Sequence, residues 1–581
     1  MTYFEVWAPK AQKIVLYLCE EGAEDPRTID MKPGERGWWA LDVPEAGPGI
    51  DYGFLVDGEG PFPDPRSNCQ PNGVHGLSRL VSHAAFPWTD SIFQPRPLSA
   101  AVIYELHVGT FTEEGTFDAA IRKLDYLRDL GITHVELMPV NEFAGERGWG
   151  YDGVDLYAPE HSYGGPDGLK RLVDACHTRG LAVILDVVYN HLGPSGNYLE
   201  KYGNYFSERH MTNWGPAMNF DGPGSDEVRR FFIDNARMWL RDYHIDVLRL
   251  DAVHAIVDES AVHFLEELVE AAARIEIEIG RHIALIAESD LNDPRLVRPI
   301  EQGGYGLAAQ WSDDFHHALH VLLTGEQSGY YAAFDAWDDL VKSLTSVFVY
   351  DGCYSPLRER KHGRPVDALP GYRFLGYIQN HDQIGNRAVG ERISHLVGPE
   401  LAMVAAAVVF ASPFVPMIFM GEEWAASSPF QFFTDHEEEL GKLVSEGRRN
   451  EFRDFGWQPE QVPDPQDPQT FQRSRLNWNE LEQEPHAAVL DWYRRLIALH
   501  RGGPALADGR LAPNQVRHDA NARWLIIDRG PVTFVCNFAE REQTVALPFV
   551  GARVVMASNP DCSLTEDGVY LPARSVLVLQ S

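Results

Sequence analysis

Short apolar runs alternate with helical stretches through the middle of the chain, over roughly four hundred residues, and this pattern predicts a parallel sheet of βα units. Eight strand–helix pairs predict a closed (β/α)8 TIM barrel, whose catalytic groups lie at the carboxyl ends of the strands. The predicted strands are 101–108, 134–140, 182–188, 247–252, 283–288, 307–311, 374–380 and 414–423. A doubly wound open sheet is the alternative, but no glycine-rich phosphate loop follows any of these runs.

One helix of the barrel is predicted in detail, between the first two strands. Its apolar residues recur at three- and four-residue steps, and Gly131 supplies a stop. They are Phe117, Ile121, Leu124, Leu127 and Leu130. The spacing predicts one continuous amphipathic helix over 117–131.

The two ends of the chain have the alternating pattern of antiparallel strands. Runs such as KIVLYL, GWWALDV and YGFLV predict an N-terminal β-sandwich over 1–95, ending in the linker FPWTDSIFQPRPLS. The runs ARWLIIDRG, VTFVCNFA and SVLVLQ predict an antiparallel β domain over 503–581, which leaves 96–502 for the barrel. The protein is therefore predicted to be of the α/β class. Trp7, Trp38 and Trp39 of the sandwich could stack on sugars, although core packing is the commoner use.

Four acids lie at the C-terminal ends of apolar runs, at or just beyond the ends of predicted barrel strands. These residues are Asp186, Asp251, Glu288 and Asp382, and Arg249 lies two positions before Asp251 and so faces the same side. Any one of these acids could simply cap the next helix. Four carboxylates at one mouth of a barrel indicate a site instead.

The chemistry that needs clustered carboxylates is the hydrolysis of an acetal. One carboxyl must stay protonated to meet the leaving-group oxygen, while another must stay ionised on the opposite face of the sugar. A guanidinium at Arg249 would hold Asp251 ionised and orient it. A purely structural ion pair is the alternative, but a buried pair is costly relative to apolar packing.

Composition narrows the class of substrate. The chain has 50 Lys and Arg against 85 Asp and Glu, a net charge of −35, which disfavours nucleic acid and anionic membranes and fits a neutral substrate. The opening MTYFEVWAPK lacks the features of a signal peptide, and no apolar run is long enough to span a membrane. Six scattered cysteines without a CxxC pair are expected to be buried thiols in a reducing cytoplasm.

Four segments resemble, in order, the signature regions of the α-amylase family of glycoside hydrolases. They are DVVYNH (186–191), LRLDAVHA (248–255), IALIAES (283–289) and YIQNHD (377–382). The opening FEVWAPKAQKIVLYL is similar to the N-terminal domain of the isoamylase and branching-enzyme group, so the resemblance covers nearly the whole chain.

The resemblance implies roles for individual residues. Asp251 matches the nucleophile of a retaining double displacement, Glu288 its general acid and base, and Asp382 the third acid, which binds sugar hydroxyls. The residues implied in substrate binding are Arg249, His191, His381, Tyr151, Asp186, His254, Asp313, Asp314 and Arg387. The regions 313–317 and 386–392 that contain the last three could also be simple helix starts.

No metal and no cofactor are expected. Asn190 matches a calcium ligand of many amylases, but a calcium site needs six or more oxygens, and the remaining ligands cannot be assembled from the sequence. His316 and His320 have a spacing that could bind a metal on a helix, yet no third ligand is evident. A helix-surface or substrate-cleft position is therefore predicted for them.

Further stretches, at 63–76, 311–331, 379–392 and 419–440, resemble one subgroup of the family. Its members hydrolyse the α-1,4 bond beside the terminal trehalose unit of maltooligosyl trehalose, so the implied partners are that substrate and related α-glucans. A glycogen branching or debranching enzyme is the alternative within the family, and a noncatalytic carbohydrate-binding protein is the alternative of another class. The oligomeric state stays open.

Overall fold

The computed structural model describes residues 2–19, 25–453, 457–511, 515–547 and 551–581. At its centre eight parallel strands close into a barrel, as the alternating pattern predicted. The strands are β1 (Ile103–Leu106), β2 (His134–Leu137), β3 (Ala182–Val187), β4 (Val247–Leu250), β5 (Ala284–Ala287), β6 (Ala309–Trp311), β7 (Phe374–Gly376) and β8 (Val415–Phe419). Each lies within its predicted run, and each ends before the run does except the sixth, which ends with its run at Trp311.

The interior of the barrel is apolar at its lower level and polar toward the rim. Ile103, Ile184 and Val247 belong to an inner apolar cluster. Two residues further along β3, Asp186 is level with Arg249 of β4. Because side chains on a strand alternate between faces, Ile184 and Asp186 face the same side, and the acid lies one layer above the apolar cluster.

Helices surround the barrel and connect its strands. The α-helices are Val108–Phe111, Phe117–Ile121, Leu124–Leu130, Gly165–His177, Leu199–Tyr202, Ser225–Arg237, Phe264–Ile279, Asp313–Thr324, Asp338–Ser346, His381–Gly385, Ile393–Val397, Pro399–Ala411, Glu438–Arg453, Pro468–Arg473, His486–Arg501 and Pro504–Ala507. A π-helical turn, Met238–Asp242, extends the sixth of these.

The helix predicted over 117–131 is two helices. Between Phe117–Ile121 and Leu124–Leu130, the amide of Lys123 donates to the carbonyl of Ala120, three residues back. This tighter turn interrupts the α-helical ladder but keeps the apolar side chains on one face, since they recur at steps of three there. The predicted stop is correct, because Gly131 has a left-handed φ of 103°.

The N-terminal domain consists of two antiparallel sheets in contact. Their strands are Thr2–Trp7, Lys32–Pro33 and Trp38–Val43 in one sheet and Ile14–Cys19, Arg27–Asp30, Asp51–Val56, Glu59–Phe62 and Ser78–Arg79 in the other. The ring of Phe4 in the first sheet lies 5.1 Å from that of Tyr52 in the second. This is the predicted sandwich.

The tryptophans of the sandwich make packing contacts. Trp7 is buried, with its ring 5.3 Å from that of Tyr205. Trp39 donates from Nε1 to the carbonyl of Ala8 at 3.1 Å. Trp38 donates from Nε1 to Glu227 of a barrel helix at 3.0 Å, so this domain supports the barrel.

The linker after the sandwich is fastened to the barrel by buried ionic contacts. Asp90 accepts hydrogen bonds from Nδ1 of His177 at 2.7 Å and Nδ1 of His244 at 2.8 Å. The other ring nitrogen of His177 contacts Asp246 at 2.9 Å. Two linker rings complete the contact, since Trp88 stacks on His244 and Phe93 on His177. The domain boundaries at 95 and 502 stay predictions.

The C-terminal domain is antiparallel, as predicted. Its strands are Gln515–Asp519, Trp524–Arg529, Val532–Asn537, Gln543–Val545, Arg553–Ala557, Ser563–Thr565, Gly568–Leu571 and Ser575–Gln580, in sheets of five and three. All six cysteines are free thiols; Cys176 and Cys536 are buried, but Cys353 is exposed, contrary to expectation. In the described part of the chain, no helix is both long and apolar enough to cross a membrane.

Candidate active site

Four acids gather at the carboxyl rim of the barrel because four different strands end there. Asp186 is the second-last residue of β3, Asp251 directly follows β4, and Glu288 directly follows β5. Asp382 lies in the first turn of the helix that follows β7. Parallel strands in register bring residues that are distant in the chain to one rim, as the sequence predicted.

Arg249 is the centre of the acid cluster and is completely buried. Its Nη1 donates to both oxygens of Asp186, at 2.8 and 2.7 Å, and to Oδ1 of Asp251 at 2.9 Å. Its Nη2 lies 3.7 Å from Oε2 of Glu288. Its guanidinium also lies 4.2 Å from the ring centroid of Trp311. The charge interrupting the apolar pattern of β4 is thus balanced by the acids around it, which is the arrangement expected for Arg249.

Asp251 is oriented through both of its carboxylate oxygens. Oδ1 accepts from Arg249, and Oδ2 accepts from Nδ2 of Asn190 at 2.8 Å. The amide oxygen of Asn190 faces Nδ1 of His191. Asn190 therefore acts as a hydrogen-bond donor to the acid here, in contrast to the calcium ligand that it matches by resemblance.

Glu288 differs from Asp251 in its electrostatic surroundings. It accepts a hydrogen bond from the amide of Ala252 and faces Nη2 of Arg249 without a hydrogen bond. Burial raises the pKa of Glu288 well above its ordinary value; Arg249 acts against this, while the nearby charge of Asp251 raises it further. These surroundings raise the pKa of Glu288, whereas Asp251 receives the two strong donors. The separation of about 5 to 5.5 Å between the two carboxyls stays a prediction.

His381 and Tyr151 form a second layer of contacts around Asp186. Nδ1 of His381 contacts Glu105 of β1, and Nε2 lies 2.7 Å from the hydroxyl of Tyr151. That hydroxyl donates to Asp186 at 2.6 Å. Burial alone would lower the pKa of His381, but the charges of Asp382 and Glu105 outweigh it and raise that pKa to about 9. His381 is therefore cationic at neutral pH and donates from both nitrogens.

Asp382 and two of the predicted substrate-binding residues lie at the edge of the cluster. The side chain of Asp382 is 42% exposed, the most accessible of the four acids, and lies 3.6 Å from His381. Asp313 accepts a hydrogen bond from Tyr377, and burial raises its pKa to about 7. His254 is half-buried in the turn after β4.

Two other residues predicted to bind substrate make contacts within the protein. Asp314 is buried and accepts from Asn292 and from the backbone amides of residues 349 and 350, so the structure gives it a structural role. Resemblance had implied the region 313–317 in substrate binding, with a helix start as the alternative, and helical geometry turns the adjacent Asp313 and Asp314 about 100° apart. Arg387 pairs with Glu326 at 2.9 Å and remains 21% exposed.

His316 and His320 are buried, so of the two predicted positions the helix surface is wrong, and the substrate cleft stays a prediction. His316 contacts the carbonyl of Ile378 at 2.9 Å and the hydroxyl of Tyr331 at 3.0 Å. His320 stacks on Tyr331 at 4.0 Å and contacts Glu326 at 2.9 Å. Both histidines are components of an aromatic wall beside the rim.

The described residues contain two groups with metal-binding geometry, and neither includes an acid of the barrel rim. They are Glu142 with Glu160 and His161, and His210 with Asp221 and Glu259. In the first group Nδ1 of His161 contacts Glu142 at 2.6 Å and Glu160 at 3.2 Å. The imidazole therefore lies within reach of both buried carboxyl groups.

The sequence interpretation missed four residues of this site: Asn190 as a partner of Asp251, Glu105, Trp311 and Tyr377. A usable signal existed for Glu105, because it interrupts the apolar run AVIYELHV as Arg249 interrupts VLRLDA. Glu136 interrupts HVELMPV in the same way. For Trp311 and Tyr377 no signal existed, since an aromatic residue in a buried strand is ordinary core.

Comparisons with known proteins agree with this architecture. Residues 105–219 match the family model "Alpha amylase, catalytic domain", residues 1–69 match "Carbohydrate-binding module 48 (Isoamylase N-terminal domain)", and residues 509–578 match a domain of unknown function. A crystal structure of a putative alpha amylase from Salmonella typhimurium superimposes with a TM-score of 0.90 at 39% identity, covering 100% of this chain and 97% of that one.

Two relatives separate the alternatives within the family. A 1,4-alpha-glucan branching enzyme from Pseudoalteromonas atlantica is 25% identical over 90% of this chain and 68% of its own. A malto-oligosyltrehalose trehalohydrolase from Rhizobium sp. (strain M-11) is 51% identical over 99% of this chain and 97% of its own. With that identity over nearly the full length of both proteins, the chain belongs to the malto-oligosyltrehalose trehalohydrolase family, within the α-amylase family of glycoside hydrolases.

Proposed function

We propose that the protein hydrolyses the α-1,4-glucosidic bond beside the terminal trehalose unit of maltooligosyl trehalose and releases trehalose. The observation that supports this best is the pair of acids on one guanidinium: Asp251 bonded to Nη1 of Arg249, and Glu288 beside Nη2 without a hydrogen bond. One carboxyl is thereby favoured as an anion and the other as an acid, which is what glycoside hydrolysis requires. The name of the Rhizobium relative supports the choice of substrate.

The mechanism assigns one step to each acid. Asp251 attacks the anomeric carbon while Glu288 gives its proton to the departing glycosidic oxygen, which forms a covalent glycosyl-enzyme and frees the trehalose end. Glu288, now ionised, then takes a proton from water as the water breaks the glycosyl–Asp251 bond. Asp382 binds sugar hydroxyls and favours the distorted ring of the transition state.

The remaining groups bind the substrate or keep the acids in place. Asn190 and Arg249 hold Asp251 in line, and His381, a donor from both nitrogens, positions Tyr151 beneath the sugar. Asp313 and Arg387 are proposed walls of the pocket for the trehalose unit. Polar groups there would be left unpaired by an ordinary maltose unit, and such a site can reject the wrong substrate strongly.

The test is product analysis with maltotriosyl trehalose and, separately, with plain maltooligosaccharides. Release of trehalose and maltotriose, with the new reducing end first appearing as the α-anomer, is the expected result. New α-1,6 branches would identify a branching enzyme, and absence of turnover a noncatalytic binding protein. Glu288→Gln serves as the matched control, with a loss of several orders of magnitude expected because proton donor and base disappear together.

We also propose that the protein acts in the cytoplasm. Its six cysteines are free thiols, which fits a reducing compartment.

A further inference from the structure

A fully buried carboxyl group lies in the barrel interior without a bonding partner. Glu136 of β2 is 1% exposed, and neither of its carboxyl oxygens has a hydrogen-bond partner in the described structure. It is level with Glu105 on one neighbouring strand and with Ile184 on the other. Ile184 lies one layer below Asp186, so Glu136 is directly beneath the acid cluster.

Arg249 has hydrogen-bond donors without acceptors. Its Nη1 makes all of its hydrogen bonds to Asp186 and Asp251, while its Nε and Nη2 have none in the described structure. A carboxyl with two unused acceptors and a guanidinium with unused donors thus share the buried interior of the barrel. Unpaired buried polar groups of this kind are costly, and buried water commonly bridges them.

The charged groups around Glu136 come from four elements. They are Glu105 on β1, Asp186 on β3, Arg249 on β4 and His381 after β7. Burial raises the pKa of Glu136 well above its ordinary value, and the charges of Glu105 and Asp186 raise it further, against the opposing effect of Arg249 and His381. These effects favour the protonated form, and a protonated carboxyl can donate one hydrogen bond as well as accept others.

We propose that Glu136 is a positioning residue: through buried water, its carboxyl group holds the free edge of Arg249 and so keeps Nη2 from closing onto Glu288. The inference rests on the proposed hydrolysis, which needs Glu288 protonated. Nη2 is 3.7 Å from Glu288, less than 1 Å beyond an ordinary charge-assisted hydrogen bond. A small rotation of an unrestrained guanidinium would therefore ionise the acid.

The experiment compares pH–rate profiles of the intact enzyme and two variants with maltotriosyl trehalose. Glu136→Met keeps the length of the side chain without its polar oxygens. In this variant the pH at which kcat/KM declines on the alkaline side is expected to move down by at least about 1 pH unit. The groups that face Glu288 and set this limb are Arg249, Asp251, Asp313 and Asp382. The value of kcat at pH 7 falls with it, while KM stays within about twofold because no sugar contact changes.

Glu136→Gln should restore the wild-type limb, because the amide is neutral and can both donate and accept. Glu422→Gln is the control, since it alters another buried carboxyl that follows a barrel strand, one that accepts a hydrogen bond from Tyr493. Its limb should not move. Glu136→Leu replaces the methionine variant if that protein does not fold.

An unmoved alkaline limb in Glu136→Met, or loss of activity that only tracks loss of folded protein on thermal unfolding, would overturn the inference. The inference would also be overturned if Glu136→Gln displaced the alkaline limb as far as Glu136→Met does, because Glu136 would then act through its charge. If the wild-type protein itself does not release trehalose, the proposed function has failed. In that case 13C NMR of carboxyl-labelled protein tests the positioning role independently. It follows the ionisation of Glu288 in the wild type and in Glu136→Met, and Glu288→Gln assigns the signal.

Discussion

The amide of Asn190 is predicted to be essential for the reactivity of Asp251, although sequence resemblance matched Asn190 to a metal ligand. Nδ2 of Asn190 donates to Oδ2 of Asp251 at 2.8 Å, and Arg249 occupies the other oxygen. A hydrogen bond to a charged group contributes about 1.5 to 3 kcal/mol. Each 1.36 kcal/mol of transition-state stabilisation that is lost lowers the rate tenfold, so Asn190→Ala should lower kcat/KM by about 10- to 150-fold.

Asn190→Asp should be worse and should respond to pH. It places a second carboxyl against Asp251, and two adjacent carboxylates share a proton, which raises the pKa of one of them. Activity should therefore be lost at acidic and neutral pH and recover partly as pH rises. Asn197→Ala is the matched control, because that amide lies in the same loop but donates only to the carbonyl of Gly193.

The assay is initial-rate kinetics on maltotriosyl trehalose between about pH 4 and pH 9. If Asn190→Ala retains activity within about twofold of wild type, while Asn197→Ala does the same, then Asn190 does not orient the nucleophile. An equal loss in both variants would point instead to a general disturbance of the loop. In either case the assignment of Asp251 as an acid held by two donors would have to be revised.

Three further outcomes are expected. Because burial raises the pKa of Glu288 and catalysis needs its acid form, kcat/KM should persist to higher pH than a free carboxyl allows and fall above that raised pKa in a pH–rate profile. Tyr151→Phe removes the hydroxyl that contacts Asp186 and His381, and should lower kcat about tenfold in the same assay with little change in unfolding temperature. Asp90→Asn breaks the buried contact to His177 and should lower the free energy of unfolding by about 3 to 5 kcal/mol near pH 6. Although burial lowers the pKa of His177, the charges of Asp246 and Asp90 outweigh it and raise that pKa above 6.5. The stabilisation by the His177 contact is therefore complete below pH 6.5 and is lost as pH rises through the folded-state pKa. Denaturant melts at about pH 6 and pH 9 should show this difference between the wild type and the variant.

The sequence by itself determined the order and kind of the main elements. Eight apolar runs separated by helical stretches leave few ways to bury all the strands, and the closed barrel is the one that the structure shows. The four acids could be predicted for the same reason, since a charge at the end of a buried run must reach the rim where parallel strands end. Arg249 was predictable because a buried charge requires a partner of opposite charge.

The tertiary structure decided which side chains meet, because hydrogen-bond partners are chosen by distances across strands that the chain order does not contain. Asn190 finds Asp251, 61 residues away, and His381 finds Glu105, 276 residues away. Likewise, adjacent Asp313 and Asp314 took different surroundings, one beside Tyr377 and the other beneath the loop at 349–350, because a helix turns neighbouring residues to different faces. Local patterns specify burial and period, whereas the protonation and direction of each group depend on neighbours that only the closed barrel brings within reach.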